Sequence, residues 1–186
     1  MTNGFIPPRL RRAAAVIHAG GIIAYPTEGV YGLGCAPDDG EAVRRLLALK
    51  VRPVSAGLIL IAATLDQLAD WIEPTASEWK TFSRPATNAV TWLVTAGPLT
   101  PAWITGGRST VAVRVTRHPV AAGLCMAAGM PLVSTSANRR GRPPARSSLE
   151  VRRRLGDEVD LVVGGATGGA RGPTEIRHAA SGKLIR

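Results

Sequence analysis

The sequence of 186 residues contains only two cysteines, Cys35 and Cys125, and it has no CxxC pair and no cysteine and histidine cluster. Disulfide frameworks and structural zinc sites both require such clusters. The composition therefore excludes both classes, and we expect two buried free thiols. No metal site built from protein side chains is predicted.

Long hydrophobic runs are also missing. The longest apolar stretches are far shorter than the roughly 20 residues that cross a bilayer. The first residues, MTNGFIPPRLRR, lack the apolar centre of a secretory signal. We therefore expect a soluble cytoplasmic protein without a membrane partner. No repeat or composition break divides the chain, so residues 1–186 are predicted to form one domain.

The motifs of covalent catalysis are absent as well. The three histidines, His18, His118 and His178, are scattered, and the sequence has no G-x-S-x-G, H-E-x-x-H or Walker A motif. The polar candidates that remain are cationic or carry hydroxyl groups. Such a set positions anions and stabilises charge rather than supplying a nucleophile.

The 23 lysine and arginine residues outnumber the 13 aspartate and glutamate residues, which gives a net charge of +10 and a pI near 11.1. This balance favours polyanionic partners such as RNA or nucleotides. The alternative is a coding bias, because 20 of the 23 cations are arginine. Seven arginines against one acid, Glu150, lie between Arg139 and Arg154, and that segment could form a basic face or a solvated one.

Helices and strands alternate along the sequence. Helices are predicted over RLRRAAAVIHAG, EAVRRLLALK, LDQLADWI and LEVRRRLG, the last three with capping boxes at Asp38/Glu41, Thr64/Gln67 and Ser147/Glu150. Strands are predicted at GIIAY, GLILIA, VTWLV, TVAVRV, PLVST, VDLVV, TEIRH and GKLIR. This alternation indicates an α/β fold. Because short strands close the chain, we expect a mixed parallel and antiparallel sheet.

One lysine stands on the apolar face of a predicted helix. Val43, Leu46 and Leu47 form its buried stripe, and Lys50 is the next residue on that stripe. A lysine at a helix end can simply reach solvent or complement the helix dipole. However, Arg52 follows two residues later and is fixed by Pro53, so two cations leave one helix end together. This arrangement favours anion binding.

Two predicted strands place polar groups on one face. In TVAVRV, Thr110 and Arg114 alternate with the valines, and in PLVSTSAN, Ser134, Ser136 and Asn138 fall on one side. Ligands of α/β sheets bind at strand ends, where hydroxyl and amide groups can donate to phosphate or carboxylate oxygens. A solvated arginine and a simple turn with a helix cap are the alternatives.

Taken together, the stretches GIIAYPTEGVYGLGC, LKVRPVSAGLILIA, AVRVTRHP, PLVSTSAN and PTEIRHAASGKLIR resemble the YrdC/TsaC family of threonylcarbamoyl-AMP synthases. They run in the family's order from about residue 20 to the end of the chain, as in the short, single-domain bacterial form. Each stretch alone is weakly specific, whereas the ordered set is highly specific.

The resemblance implies a twisted mixed sheet with flanking helices and a large, basic, concave cavity. It also implies a nucleotidyltransferase that condenses L-threonine, bicarbonate and ATP, with Mg²⁺, into threonylcarbamoyl-AMP for the modification of tRNA. The implied pathway partners are TsaB, TsaD and TsaE, with tRNA or double-stranded RNA as a further partner.

Site roles follow from the matching positions. Lys50, Arg52 and Arg114 are the expected catalytic residues: the first two would hold phosphates, and Arg114 would hold the threonine carboxylate. The expected ATP contacts are Arg52, Thr110, Ser136, Asn138 and Arg186. The expected threonine contacts are Tyr25, Thr27, Arg114, Ser134 and Thr174, with Tyr25 to Gly34 forming a wall of the pocket.

Some positions depart from the family pattern. Gly29 replaces a threonine that touches substrate in many relatives, Ala56 replaces a frequent lysine, and His178 a frequent aspartate. The segment PATNAVT replaces W-P-G-P-V-T. The competing hypotheses are a non-catalytic RNA-binding or ribosome-maturation protein, whose binding would depend on Arg139 to Arg154 and on salt, and a carbamoyl-transfer accessory domain.

Overall fold

The computed structural model describes residues 6–84, 89–170, 172 and 174–185. The helices are α1 (Pro8–His18), α2 (Gly40–Lys50), α3 (Ala76–Phe82), α4 (Ala102–Thr105), α5 (Pro119–Ala128) and α6 (Ser148–Leu155). The strands are β1 (Ile23–Pro26), β2 (Tyr31–Gly34), β3 (Ile59–Ala62), β4 (Val90–Thr95), β5 (Thr110–Val115), β6 (Leu132–Ser136), β7 (Leu161–Val162) and β8 (Glu175–His178).

The eight strands form one sheet in the order β7-β1-β2-β6-β3-β5-β4-β8. Three neighbouring pairs are parallel, namely β1 with β7, β3 with β5, and β4 with β8. The other four pairs are antiparallel. The expected mixed sheet is confirmed, and strands distant in sequence are brought together at its centre.

The two faces of the sheet are covered differently. On one face, α2 and α6 pack with Leu33, Leu60 and Val113 in the larger apolar cluster. On the other face, α1 and α5 pack against Ile61 and Leu132 in a second cluster. The row of Ile59, Ala112 and Ser134 on that second face lines a cavity instead. The cavity therefore lies where helices leave the sheet uncovered.

Two predicted helix starts are wrong. The N-cap of α2 is Asp39 rather than Asp38, and its carboxylate accepts from the N–H groups of Glu41 and Ala42. The segment LDQLADWI forms only a short 3-10 turn, Asp66–Leu68. There the side chain of Gln67 bonds the N–H of Ala63 and the carbonyl of Cys125, so it is not available for a capping box.

Other local predictions hold in part. Ser147 caps α6 as expected, and both cysteines are buried free thiols. The predicted last strand is wrong within the described residues, because Leu184 forms only an isolated bridge with Arg177. Strand β2 and helices α3 and α5 were not predicted.

A buried carboxylate joins α3 to β4. Glu78 is 3% exposed, and it accepts hydrogen bonds from Thr75 N at 2.8 Å and from Thr95 N at 3.1 Å. The Thr95 hydroxyl donates to it as well. Burial alone would raise the pKa of Glu78, but these hydrogen bonds lower it below the usual value. The charged form is therefore the one that the fold stabilises.

We expect Glu78→Gln to lower the free energy of unfolding by about 1–3 kcal/mol at neutral pH, because a buried amide cannot accept the same bonds. Since the folded-state pKa is depressed, this stabilisation is present above the unfolded pKa and is lost as pH falls through the folded one. Urea unfolding at pH 7 and pH 4 measures both effects. The exposed Glu73→Gln is the control, and an equal deficit at both pH values would contradict this account.

Candidate active site

A cavity of about 800 Å³ opens on the partly uncovered face of the sheet. Most of the residues proposed from the sequence line it: Thr27, Lys50, Arg52, Thr110, Arg114, Ser134, Ser136, Asn138 and Thr174. Arg108 and Arg140 add two further cations. Among the described residues that line the cavity, none is an aspartate or glutamate. The cavity wall is therefore strongly positive and suits anionic ligands.

Lys50 is buried at the C-terminal end of α2, with only 6% of its surface exposed. Its ammonium group donates to Ser136 O at 2.5 Å, to Asn138 O at 2.6 Å and to Asn138 Oδ1 at 2.9 Å. An ammonium group has three N–H bonds, so these three acceptors use all of them. The sequence predicts that Lys50 holds a phosphate, and in this structure its N–H groups are directed to the end of β6 and the turn after it. Lys50 therefore joins α2 to the end of β6 and adds its charge to the cavity.

Val51 makes this placement of Lys50 and Arg52 possible. It ends α2 in the left-handed conformation, with φ 48° and ψ 49°, and it is the one non-glycine residue with positive φ in the described part of the chain. A β-branched residue adopts this conformation at a cost of roughly 1–3 kcal/mol. The reversal turns the chain immediately after Lys50, so that Lys50 and Arg52 both line the cavity.

Two arginines are held by one short loop beside the cavity. Arg52 donates to the carbonyls of Ala56 and Gly57, and Arg108 donates to the carbonyl of Ser55 at 2.8 Å. Gly57 has a positive φ of 64°, and a Cβ there would lie 2.4 Å from the guanidinium of Arg108. The loop thus orients both guanidinium groups beside the cavity through its backbone carbonyls.

Asn138 is fully hydrogen-bonded. Its Oδ1 accepts from Ser136 Oγ at 2.6 Å and from Lys50, and its Nδ2 donates to the carbonyls of Arg139 and Arg142. An amide side chain has no further capacity for strong bonds. Its contacts are those of a residue that fixes the turn after β6.

Arg114 forms the buried end of the cavity, and its side chain is 7% exposed. Its guanidinium donates to Thr174 Oγ1 at 2.6 Å, and that hydroxyl lies 2.9 Å from the Thr91 hydroxyl. On its other side, Arg114 forms an ion pair with Glu28 at 3.4 Å. Arg114 is therefore fixed between β4, β8 and the turn after β1.

Tyr25, predicted as a threonine contact, lies beneath the cavity surface in this structure. Tyr25 is completely buried in the apolar cluster with α1 and α5, and it does not line the cavity. A Cβ on Gly34 would lie 2.9 Å from its ring, and one on Gly32 would lie 3.5 Å away. Gly34 therefore makes room for Tyr25, whereas Gly32 lines the cavity. Burial also raises the pKa of the Tyr25 phenol, which keeps it neutral.

Gly29 has a separate packing role. A Cβ at this position would lie 2.2 Å from the carbonyl oxygen of Gly172. Nearby, Gly168 N and Ala170 N donate to the carbonyls of Thr27 and Glu28. The segment before β8 therefore lies directly on residues 27–29 because Gly29 has no side chain.

The family model Sua5/YciO/YrdC, described as "Telomere recombination", matches residues 15–186 of the chain. The chain belongs to the Sua5/YciO/YrdC family. This confirms the resemblance seen in the motifs.

Full-length relatives carry one name. The chain is 52% identical over 184 residues to the threonylcarbamoyl-AMP synthase of Halorhodospira halophila, covering 98% of this chain and 96% of that protein. It is 55% identical over 183 residues to the threonylcarbamoyl-AMP synthase of Alkalilimnicola ehrlichii, covering 96% and 95%.

A solved structure shares the fold. The crystal structure of P. abyssi Sua5 complexed with L-threonine superimposes with a TM-score of 0.84 at 30% identity, covering 91% of this chain. The match spans 50% of that longer chain.

Sequence reasoning missed three residues of this Sua5/YciO/YrdC site. Arg108 lies in a loop without periodic pattern, and Glu28 lies more than 80 residues from both Arg114 and Thr116 in the sequence. Their positions depend on sheet pairing, which no local pattern reveals. The proposed ATP contact Arg186, like residues 85–88 of PATNAVT, lies outside the described residues.

In this family member, Lys50 gives the cavity a charge that titrates near neutral pH. Burial and, secondarily, the Arg52 charge lower the pKa of Lys50 to about 8. The ammonium is therefore charged below pH 8 and loses its proton as pH rises through that value. A sulfate ion keeps its charge in this range.

We expect sulfate binding to weaken roughly three- to tenfold between pH 7 and pH 9.5. In Lys50→Met, binding should be weaker at pH 7 and nearly independent of pH. NMR shifts of the Ser134 and Ser136 amides during a sulfate titration measure this. The exposed Lys80→Met should keep the wild-type pH dependence, and the same dependence in Lys50→Met would refute the assignment.

Proposed function

We propose that the protein is a threonylcarbamoyl-AMP synthase, which forms its product and pyrophosphate from L-threonine, bicarbonate and ATP. One observation carries this proposal. A single cavity joins a buried, hydrogen-bonded Arg114 to a second group of cations that includes Lys50, Arg52 and Arg108. Relatives about half identical over nearly their whole length carry the same enzyme name. The L-threonine complex of the related Sua5 structure supports an amino acid as one ligand.

The proposed reaction is a nucleotidyl transfer. The amine of threonine takes up carbon dioxide, supplied by bicarbonate with loss of water, to give a carbamate. A carbamate oxygen then forms a bond to the α-phosphorus of ATP as the bond to pyrophosphate breaks. No protein nucleophile is needed, in agreement with the lack of nucleophile motifs. The task of the protein is to hold two anionic reactants in line and to stabilise the charge that develops.

Different parts of the cavity would hold the two reactants. Arg114 and Thr174 would bind the threonine carboxylate, with Ser134 and Thr27 in the adjoining wall. Arg52 and Arg108 would bind the triphosphate, with Thr110 and Ser136 as hydroxyl contacts. Lys50 and Asn138 would keep the end of β6 in the geometry that this requires. Arg186 remains a proposed ATP contact.

Magnesium fits this scheme as part of the MgATP substrate. Among the described residues, no group of three or more His, Cys, Asp or Glu side chains could hold a metal ion. Mg²⁺ commonly binds substrate phosphates and keeps several water molecules. The hydroxyl groups of Thr110 and Ser136 line the same cavity as uncharged oxygen donors. Mg²⁺ would offset the charge of the triphosphate there.

The other proposed partners follow from the same function. The product would pass to TsaB, TsaD and TsaE for transfer to tRNA, in the cytoplasm. No helix in the described residues is long and apolar enough to cross a membrane. The non-catalytic RNA-binding alternative is not favoured, because the full-length relatives carry an enzyme name.

The decisive test is product formation from ATP, Mg²⁺, bicarbonate and L-threonine, detected by mass spectrometry together with threonine-dependent release of pyrophosphate. We expect Arg114→Gln to lower kcat/KM for threonine by roughly a hundredfold, since a charged clamp is lost. The exposed Arg9→Gln should retain wild-type activity. A folded wild-type protein that binds ATP but forms no product would overturn the proposed function.

Contact with RNA has its own test. Arg152 and Arg153 are exposed on α6, within the arginine-rich segment. If this face binds the RNA backbone, replacing both by glutamine should weaken binding of double-stranded RNA. It should also reduce the slope of log affinity against log salt by roughly 1–2. Filter binding at several salt concentrations measures the slope, with Arg9→Gln as control, and an unchanged slope would exclude this face.

A further inference from the structure

Arg114 differs from other cavity cations in having an acidic partner. Lys50 and Arg108 donate to uncharged carbonyl and amide oxygens. Arg114 instead lies 3.4 Å from the carboxylate of Glu28. Glu28 does not line the cavity, so its carboxylate lies behind the guanidinium. The positive charge of Arg114 is therefore largely offset within the protein, while that of Lys50 is not.

Thr116 fixes the orientation of this carboxylate. It lies two residues beyond Arg114, and its hydroxyl donates to Glu28 Oε1 at 2.6 Å. The same hydroxyl oxygen accepts from His118 N at 3.2 Å, so its own proton is directed to Glu28. The backbone of Glu28 is held too, because its carbonyl accepts from Ala170 N. Glu28 can therefore present only Oε2 to Arg114.

The resulting ion pair offsets the charge of Arg114 without occupying all of its N–H groups. A full arginine and carboxylate pair has two parallel hydrogen bonds. Here, the two groups meet at 3.4 Å, and both Arg114 Nε and Glu28 Oε2 are buried without a hydrogen-bond partner. Arg114 thus keeps donor capacity for a ligand carboxylate.

Glu28 stays ionised at neutral pH. Burial on its own would raise the pKa of Glu28, but the Arg114 charge and the Thr116 hydrogen bond outweigh it, and the pKa is lowered. A carboxylate with a depressed pKa is a poor proton acceptor. Its effect on a ligand is therefore electrostatic.

We infer that Glu28 makes the Arg114 end of the cavity selective for zwitterionic amino acids over simple anions. A ligand that carries only a carboxylate or phosphate is repelled by the Glu28 charge behind the guanidinium. A zwitterion carries an ammonium group beside its carboxylate, and attraction of that group to Glu28 offsets the repulsion. The triphosphate is accordingly directed to the region of Lys50 and Arg108, which donate to uncharged oxygens. This inference rests on the proposed function, in which an amino acid and ATP share the cavity.

Glu28→Gln tests the inference, because it keeps the shape of the side chain and removes its charge. The probes are L-threonine and 2,3-dihydroxybutanoate, in which a hydroxyl replaces the ammonium group, titrated calorimetrically at pH 7. We expect the wild type to prefer threonine. In Glu28→Gln, affinity for the hydroxy acid should rise roughly tenfold, without a rise for threonine. Structural damage would weaken both ligands and cannot produce this gain.

Two further variants complete the test. The exposed Glu41→Gln also removes a carboxylate from an ion pair with an arginine, and it should change neither affinity. Thr116→Val keeps the charge of Glu28 but frees Oε1 to pair with Arg114, so both ligands should bind more weakly while the preference for threonine remains. If Glu28→Gln does not fold, loss of that preference in Thr116→Val overturns the inference.

The outcomes separate the inference from the proposed function. No preference for threonine in the wild type, or an unchanged preference in Glu28→Gln, overturns the inference even if threonylcarbamoyl-AMP is formed. If Glu28→Gln abolishes the preference for threonine but the wild type forms no threonylcarbamoyl-AMP, the inference is supported and the proposed function is overturned.

Discussion

The cavity depends on the bonds between the Lys50 ammonium group and the end of β6. A buried charge is costly unless its polar atoms are satisfied. Here, two backbone carbonyls and one amide oxygen satisfy all three N–H bonds. Because Lys50 lies at the end of α2, these bonds join that helix to the centre of the sheet. The partners are uncharged, so the fold gains a fixed connection and the cavity keeps a positive charge.

The other cations show why the type of partner matters. A carbonyl oxygen orients Arg108 through a partial charge, which leaves most of its cationic field in place. A carboxylate behind Arg114 orients it and offsets its field. The same residue type can therefore form a site for a polyanion or a site for a neutral zwitterion. One cavity can then hold two anionic reactants without exchanging their positions.

Sequence patterns predicted the groups that face the cavity, because periodicity determines which face of a helix or strand a side chain occupies. Lys50 on an apolar stripe and Arg114 among alternating valines were found in this way. The same reasoning could not find Glu28 as the partner of Arg114. The two residues are far apart in the sequence, and they come together only when the strands pair into a sheet. Sequence reasoning also did not recognise strand β2, which pairs with the strand that contains the buried Tyr25. Capping patterns failed where a neighbouring residue competed, as Asp39 does with Asp38.

The glycines that follow β1 show a limit of transferring roles by motif. Gly34 accommodates the ring of Tyr25, whereas Gly29 accommodates the backbone of Gly172. The segment before β8 lies on residues 27–29 for that reason, and it leads directly to Thr174, which accepts a hydrogen bond from Arg114. A side chain at position 29 would force this segment to shift, because its Cβ would lie 2.2 Å from a backbone carbonyl oxygen. The position of Thr174, and with it the setting of Arg114, therefore follows from the absence of one side chain. The motif alone cannot convey that dependence.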